Sequence, residues 1–201
     1  MPIKAIYFDI GGVLVRTEDR QPRQQLAARL GMSYEALSEL VFGGESGRRA
    51  QLGEITSEQQ WAYVCRTVGW PPENWRALEA EFFAGDRLDT ALLDFIRRLR
   101  PRYKTGVISN ALDNAPRLVK DKWGFEQIFD TLIFSAEVGL LKPDPRIFQQ
   151  ALSALGVSPA EALFVDDTIA NVNGAQAVGM QAIQFFHSQQ VQREISALLE
   201  V

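Results

Sequence analysis

Ile3-Lys4-Ala5-Ile6-Tyr7-Phe8-Asp9-Ile10-Gly11-Gly12 is the stretch that decides the fold. A mostly apolar run, residues 3–8, delivers one carboxylate, Asp9, and is followed at once by a glycine pair that neither a strand nor a helix interior favours. Such a junction belongs at the carboxyl end of a buried parallel strand, where the backbone turns and a side chain points into a crevice. Asp9 is therefore the first candidate for chemistry, as nucleophile or metal ligand.

Four more short apolar or β-branched segments follow, at residues 105–108, 131–134, 162–165 and 181–185. Helical patterns lie between the later ones: Leu118, Val119 and Trp123 ending at Gly124, then Ile147, Phe148, Ala151, Leu152 and Leu155 ending at Gly156. Ser188 reads as the N-cap of a last helix with Val191, Ile195, Leu198 and Leu199 on one face. Strand and helix alternate, which predicts an α/β fold with a doubly wound parallel sheet.

Residues 16–86 interrupt the alternation with amphipathic helical patterns and no convincing strand. Leu26 and Leu30 share a face before Gly31, and Ser33 can cap a helix bearing Leu37, Leu40 and Val41 before Gly43-Gly44. Thr56 and Gln59 match a capping box ahead of Trp61, Val64, Cys65 and Val68. Pro71-Pro72 opens a helix with Trp75, Leu78 and Phe82, and a further helix carries Leu92, Leu93, Ile96 and Leu99 into the second strand. The expected organisation is an α/β core of residues 1–15 and 87–201 with an inserted α-helical cap of residues 16–86.

The 201 residues, 46% hydrophobic and 23% charged, fit one core domain with a modest insertion and give no sign of disorder. Net charge is −4 with basic residues spread along the chain, so no Lys/Arg stripe recommends a nucleic acid. Cys65 is the only cysteine, which excludes disulfide frameworks and Cys-rich metal sites and fits a reducing compartment. The N-terminus is no signal peptide and no apolar stretch approaches membrane-spanning length. A cytoplasmic protein without a membrane partner is expected, its oligomeric state unread.

The chemistry gathers at the strand ends. The second strand ends in Ser109-Asn110, the third leads to a loop holding Lys142-Pro143, and the fourth ends in Asp166-Asp167. In a parallel sheet these ends share one edge, so all of them can meet Asp9 in one crevice. Several carboxylates without His or Cys make a hard oxygen site suited to Mg²⁺ with retained waters and a phosphate. Ser109 can hydrogen-bond an anionic oxygen, and Lys142 can neutralise charge gathered between carboxylate and phosphate. Together they describe phosphoryl transfer on a small phosphorylated molecule.

Four stretches, Phe8 to Leu14, Val107 to Asn110, Leu141 to Pro145 and Phe164 to Asp167, resemble in order and context the motifs of the haloacid dehalogenase-like superfamily, in its branch with a helical cap inserted after the first strand. The resemblance covers essentially the whole chain. It implies a Mg²⁺-dependent phosphatase in which Asp9 attacks phosphorus to give an aspartyl-phosphate that water hydrolyses. It further implies that Ser109 and Asn110 hold the phosphoryl group and that Lys142 orients Asp9. Asp167 would be the direct Mg²⁺ ligand with Asp166 assisting, the Gly11 carbonyl would be a backbone ligand, and the cap would close over the site.

One position departs from the pattern. Most phosphatases of the superfamily carry a second Asp two residues after the nucleophile as general acid and base, and here Gly11 stands there. General acid catalysis contributes roughly 10²- to 10⁴-fold. Either the substrate has a good leaving group, a sugar 1-phosphate or acyl phosphate for example, or Glu18, Asp19 or Glu45 of the cap supplies the proton. The other classes weighed are a metal-free 2-haloacid dehalogenase, against which the Asp166-Asp167 pair argues, a catalytically silent binding or regulatory protein, and a phosphomutase. Taken alone, each candidate also has an ordinary reading: Asp9 and Asp166-Asp167 as caps, Lys142 as a solvated loop lysine, Ser109-Asn110 as a turn. Asn171 is read as a support for Asp167 or as a capping residue, His187 as a loop residue, Cys65 as core, Arg48 and Arg49 as solvated, and Trp61, Trp75 and Phe82 as the core of the cap.

Overall fold

Strand β1 (Ala5–Phe8) is apolar on both faces because it runs through the middle of the molecule. The computed structural model describes residues 2–199. In it β1 pairs in parallel with β4 (Lys104–Ser109) on one side and β6 (Ala162–Asp166) on the other. β5 (Thr131–Phe134) and β7 (Gln181–Gln184) complete a five-stranded parallel sheet of order β5-β4-β1-β6-β7. The five expected strands are therefore the five observed. The chain winds outward from β1 through β4 to β5 and then crosses back to β6, so the order reverses at β1. That reversal opens a crevice beyond its carboxyl end, where Asp9 sits.

Side-chain alternation along β1 supplies both halves of the core. Ile6 and Phe8 face helices Thr90–Leu99 and Ser188–Leu199 through Leu92, Ile96, Val191 and Ile195. Ala5 and Tyr7 face helices Pro145–Leu155 and Ile169–Ala177 through Ile147, Phe148, Ala151 and Ala175. The one polar atom this places in the interior, the Tyr7 hydroxyl, donates to the Ala151 carbonyl at 2.8 Å.

The inserted segment folds as helices Gln21–Arg29, Tyr34–Phe42, Gly44–Gln51, Ser57–Thr67 and Trp75–Phe82 around a separate apolar cluster. Leu26, Leu37, Val41, Trp61, Val64, Cys65, Leu78 and Phe82 are its centre. Ser33 caps its helix by accepting from the Ala36 N–H, and Thr56 with Gln59 forms the reciprocal capping box. Among the described residues no helix is long and apolar enough to cross a membrane.

Three details correct the sequence reading. Residues 16–86 are not free of strands: β2 (Val15–Thr17) pairs antiparallel with β3 (Asp86–Leu88) where the chain leaves and re-enters the core. Three-residue strands carry no usable alternation, and their pairing exists only once the fold has brought both crossings together. The helix capped by Ser33 ends at Phe42, before Gly43-Gly44 as expected, but a further helix that the sequence reading did not include, Gly44–Gln51, starts there. Gly47 permits it, because a Cβ at that position would lie 2.5 Å from the Phe42 carbonyl carbon. Finally, Ser188 is the first residue of the last helix and not its cap. The His187 imidazole Nδ1 accepts from the Gln190 N–H at 3.2 Å and fills that role.

Candidate active site

Asp9 is held at the end of β1 by its own backbone N–H, which donates to the Val165 carbonyl at 2.9 Å. The residue is 8% exposed and its carboxylate faces Lys142, whose Nζ lies 2.9 Å from Asp9 Oδ1 and 2.6 Å from Asp166 Oδ2. A buried ammonium with two carboxylates within 3 Å is fixed electrostatically and geometrically at once. The loop is fixed as well. Asn110, directly after β4, accepts from the Lys142 N–H at 2.8 Å and donates to the Lys142 carbonyl at 3.0 Å. The side-chain amide of Asn110 is thus engaged with the lysine backbone, so the residue positions Lys142.

The adjacent aspartates at the end of β6 differ sharply. Asp166 is fully buried, and both its oxygens are in use: Oδ1 accepts from the Thr168 N–H at 2.8 Å, Oδ2 from Lys142, and the Asn171 amide reaches both at 3.1 Å. Asn171 therefore serves Asp166, not Asp167. Asp167 takes one weak hydrogen bond, from Thr168 Oγ1 at 3.3 Å, and its carboxylate lies over Gly12. A Cβ on Gly12 would fall 2.1 Å from Asp167 Oδ2, and Gly12 has a φ of +81°. Glycine is required there twice, for the left-handed backbone and for the close approach.

Asp9, Asp166 and Asp167 each bring an oxygen to within 4.8 Å of the others. Three carboxylates face one lysine, and the imbalance shows in their proton affinities. Burial pushes the Asp9 carboxyl up to about 6; Lys142 opposes this and the Asp166 charge adds to it. Burial and then the neighbouring Asp166 raise Asp167 as well. A cation would relieve both, and an all-oxygen donor set suits a hard one. The hydrogen bonds of the turn run through Ile10, Gly12 and Val15, so among the described residues no backbone N–H takes the Gly11 carbonyl. It is free to join the carboxylates.

Ser109, at the end of β4 and almost fully buried, borders the same crevice as Gly11 and Asn110. From there a cavity of about 320 Å³ extends beneath the inserted helices. None of the acids expected to replace a carboxylate at Gly11 borders it. Glu18 is paired with Arg16 at 2.6 Å, Asp19 caps the Gln21 N–H at 2.9 Å, and Glu45 is exposed in the first turn of its helix. Two acids do border it: Asp86, whose Oδ1 accepts from Thr17 and Arg23, and Glu79, on helix Trp75–Phe82, whose carboxylate accepts from Asn114 Nδ2 at 3.1 Å. Burial raises the Glu79 pKa. Glu79 carried no signal in the sequence, being one charged residue beside an apolar stripe.

A parallel sheet reversing at β1, with a buried Asp-Lys-Asp cluster at the reversal, defines an α/β protein with a candidate active site at its strand ends. Residues 3–179 match the haloacid dehalogenase-like hydrolase family, and the chain belongs to it. Phosphatase MT3486 of Mycobacterium tuberculosis is 36% identical over 217 residues, covering 98% of this chain and 96% of the relative. Sesquiterpene phosphatase astK of Aspergillus oryzae is 27% identical, covering 92% and 91%. D-ribitol-5-phosphate phosphatase of Bacteroides thetaiotaomicron is 26% identical, covering 98% of each. The magnesium complex of the HAD family enzyme bt-2542 from Bacteroides thetaiotaomicron superposes with a TM-score of 0.75 at 25% identity, covering 92% of this chain and 94% of that one. Some relatives are much longer: the chain spans 19% of acyl-CoA dehydrogenase family member 10 of Mus musculus.

Proposed function

We propose that the protein is a Mg²⁺-dependent phosphomonoesterase with Asp9 as nucleophile and residues 16–86 as its cap. The observation that carries this reading is the buried cluster in which Lys142 spans Asp9 and Asp166 while Asp167 remains nearly unbonded. Asp9 has one carboxylate oxygen held by Lys142 and can present the other to phosphorus. A bond forms between that oxygen and phosphorus, and the ester oxygen leaves with the bonding pair. Water then attacks the aspartyl-phosphate, releasing inorganic phosphate and restoring Asp9. Ser109 is placed to donate to a phosphoryl oxygen, and the Lys142 ammonium offsets the charge gathered there. Mg²⁺, held by Asp9, Asp167 and the Gly11 carbonyl with Asp166 beside them, would neutralise charge between carboxylate and phosphate.

Asp166 is taken up by Lys142, Thr168 and Asn171, which leaves Asp167 as the direct ligand of the two. The magnesium complex of bt-2542 and the names of the three phosphatase relatives support this reading, as does the buried single cysteine for a cytoplasmic setting. Those relatives divide over the alcohol released, one named for a sesquiterpene and one for a sugar alcohol. The test is hydrolysis of p-nitrophenyl phosphate with Mg²⁺, abolished by EDTA and by Asp9→Asn. Metal-independent chloride release from 2-chloropropionate would favour the dehalogenase instead, and absence of both activities the silent protein.

A further inference from the structure

We propose that the alcohol portion of the substrate is a hydrocarbon chain of about ten carbons, lying in the cavity between the inserted helices and the core. This rests on the phosphomonoesterase reading, since the cavity shares Gly11, Ser109 and Asn110 with the site, and whatever fills it is attached to the group bound there. Its walls are apolar on both sides. Phe42 and Phe83 come from the inserted helices, and Leu112, Leu118, Val119 and Trp123 from the core segment after β4. Phe42 is 38% exposed although it packs edge-on against Phe82 and at a tilt against Phe83, an arrangement that makes sense for a wall and not for a core residue.

Of the polar groups on the lining, Asn114 and Asp86 are already engaged, whereas the exposed Arg76 and Lys122 have ring contacts and no hydrogen-bond partner among the described residues. Asn114 donates to Glu79, Thr17 and Arg23 hold Asp86, the Lys122 ammonium sits 4.6 Å from the Trp123 ring centre, and the Arg76 guanidinium 4.3 Å from that of Trp75. A sugar hydroxyl set against Phe42, Phe83, Leu112 or Trp123 would lose hydration without gaining a partner, at about 1–3 kcal/mol each. A hydrocarbon has no such penalty. At roughly 30 Å³ per group of water or methylene size, the cavity of about 320 Å³ holds about ten carbons.

The experiment is kcat/KM with Mg²⁺ for n-alkyl phosphates from butyl to tetradecyl, below their micelle concentrations, beside p-nitrophenyl phosphate and D-ribitol 5-phosphate. Burying one methylene more should raise kcat/KM about four-fold per carbon, levelling near ten carbons, with the sugar alcohol phosphate slower than octyl phosphate. Phe42→Gln should flatten the slope. A flat series with p-nitrophenyl phosphate still turned over, or D-ribitol 5-phosphate the fastest substrate, overturns the hydrocarbon assignment and leaves the phosphatase standing. Hydrolysis of no phosphate ester at all removes the phosphatase reading and this one with it.

Discussion

Replacing Gly12 by alanine tests the proposed metal site through a residue that contributes no side chain to it. The new Cβ would sit 2.1 Å from Asp167 Oδ2 and 2.5 Å from its carboxyl carbon, so the carboxylate must swing away. A left-handed φ of +81° in a non-glycine residue adds strain, of about 1–2 kcal/mol. For a chain of this size that alone lowers Tm by roughly 2–8 °C. The larger effect appears with metal. At a Mg²⁺ concentration a hundred times Kd, binding stabilises the wild type by about 2.7 kcal/mol, and the variant should lose most of that, for a total deficit of about 4 kcal/mol. Thermal denaturation with EDTA and with Mg²⁺ separates the two parts. In a double-mutant cycle Asp167→Ala should cost the Gly12→Ala background little further metal affinity, because the carboxylate is already displaced. A Gly12→Ala protein that Mg²⁺ stabilises as strongly as the wild type would refute the assignment of Asp167 as a ligand.

Three further outcomes are expected. The Asp9 carboxyl is raised in the folded chain to about 6, from near 4 when unfolded, so its contribution to stability is fully present below about pH 4 and is lost as pH rises through 6. Metal-free protein should lose about 2 kcal/mol across that window in urea titrations, and Asp9→Asn should remove the slope; an unchanged slope would place the titration elsewhere. Asn110→Ala should lower kcat by roughly ten-fold with KM little changed, because two hydrogen bonds that fix Lys142 disappear; a rise in KM alone would return Asn110 to direct substrate binding. Trp61→Ala, at the centre of the helical cluster, should cost about 3–5 kcal/mol and render residues 16–86 sensitive to protease before the sheet; simultaneous loss of both would show one cooperative unit.

What could be read in the sequence was whatever is encoded within a few residues. The apolar run into Asp9, the capping box of Thr56 and Gln59, and the helix from Leu92 to Leu99 each carry their own signal, and each is where it was expected. The site residues were legible because parallel strands bring their carboxyl ends to one edge whatever separates them in the chain. Their division of labour was not. Asn110 was expected on the substrate, and its side chain also grips the Lys142 backbone, a contact across 32 residues that no local pattern announces. Asn171 likewise serves Asp166, because one helical turn after β6 brings its amide to the buried aspartate and not to the exposed one. Glu79 and the cavity walls depend on how two clusters face each other, which periodicity within either does not encode.

The paired crossings at β2 and β3 couple the two halves of the molecule mechanically. Two antiparallel crossings, paired from Val15 with Leu88 to Thr17 with Asp86, hold the helical part to the core at two points where a single linker would hold it at one. Gly85 lets the crossings touch, since a Cβ there would lie 1.8 Å from the Asp19 carbonyl oxygen. Arg16 of the ladder also donates to Asp89 Oδ2 at 2.6 Å, while Asp89 Oδ1 caps the helix that leads into β4. Arg16 and Asp89 thus tie the ladder to the helix that leads into the strand ending in Ser109.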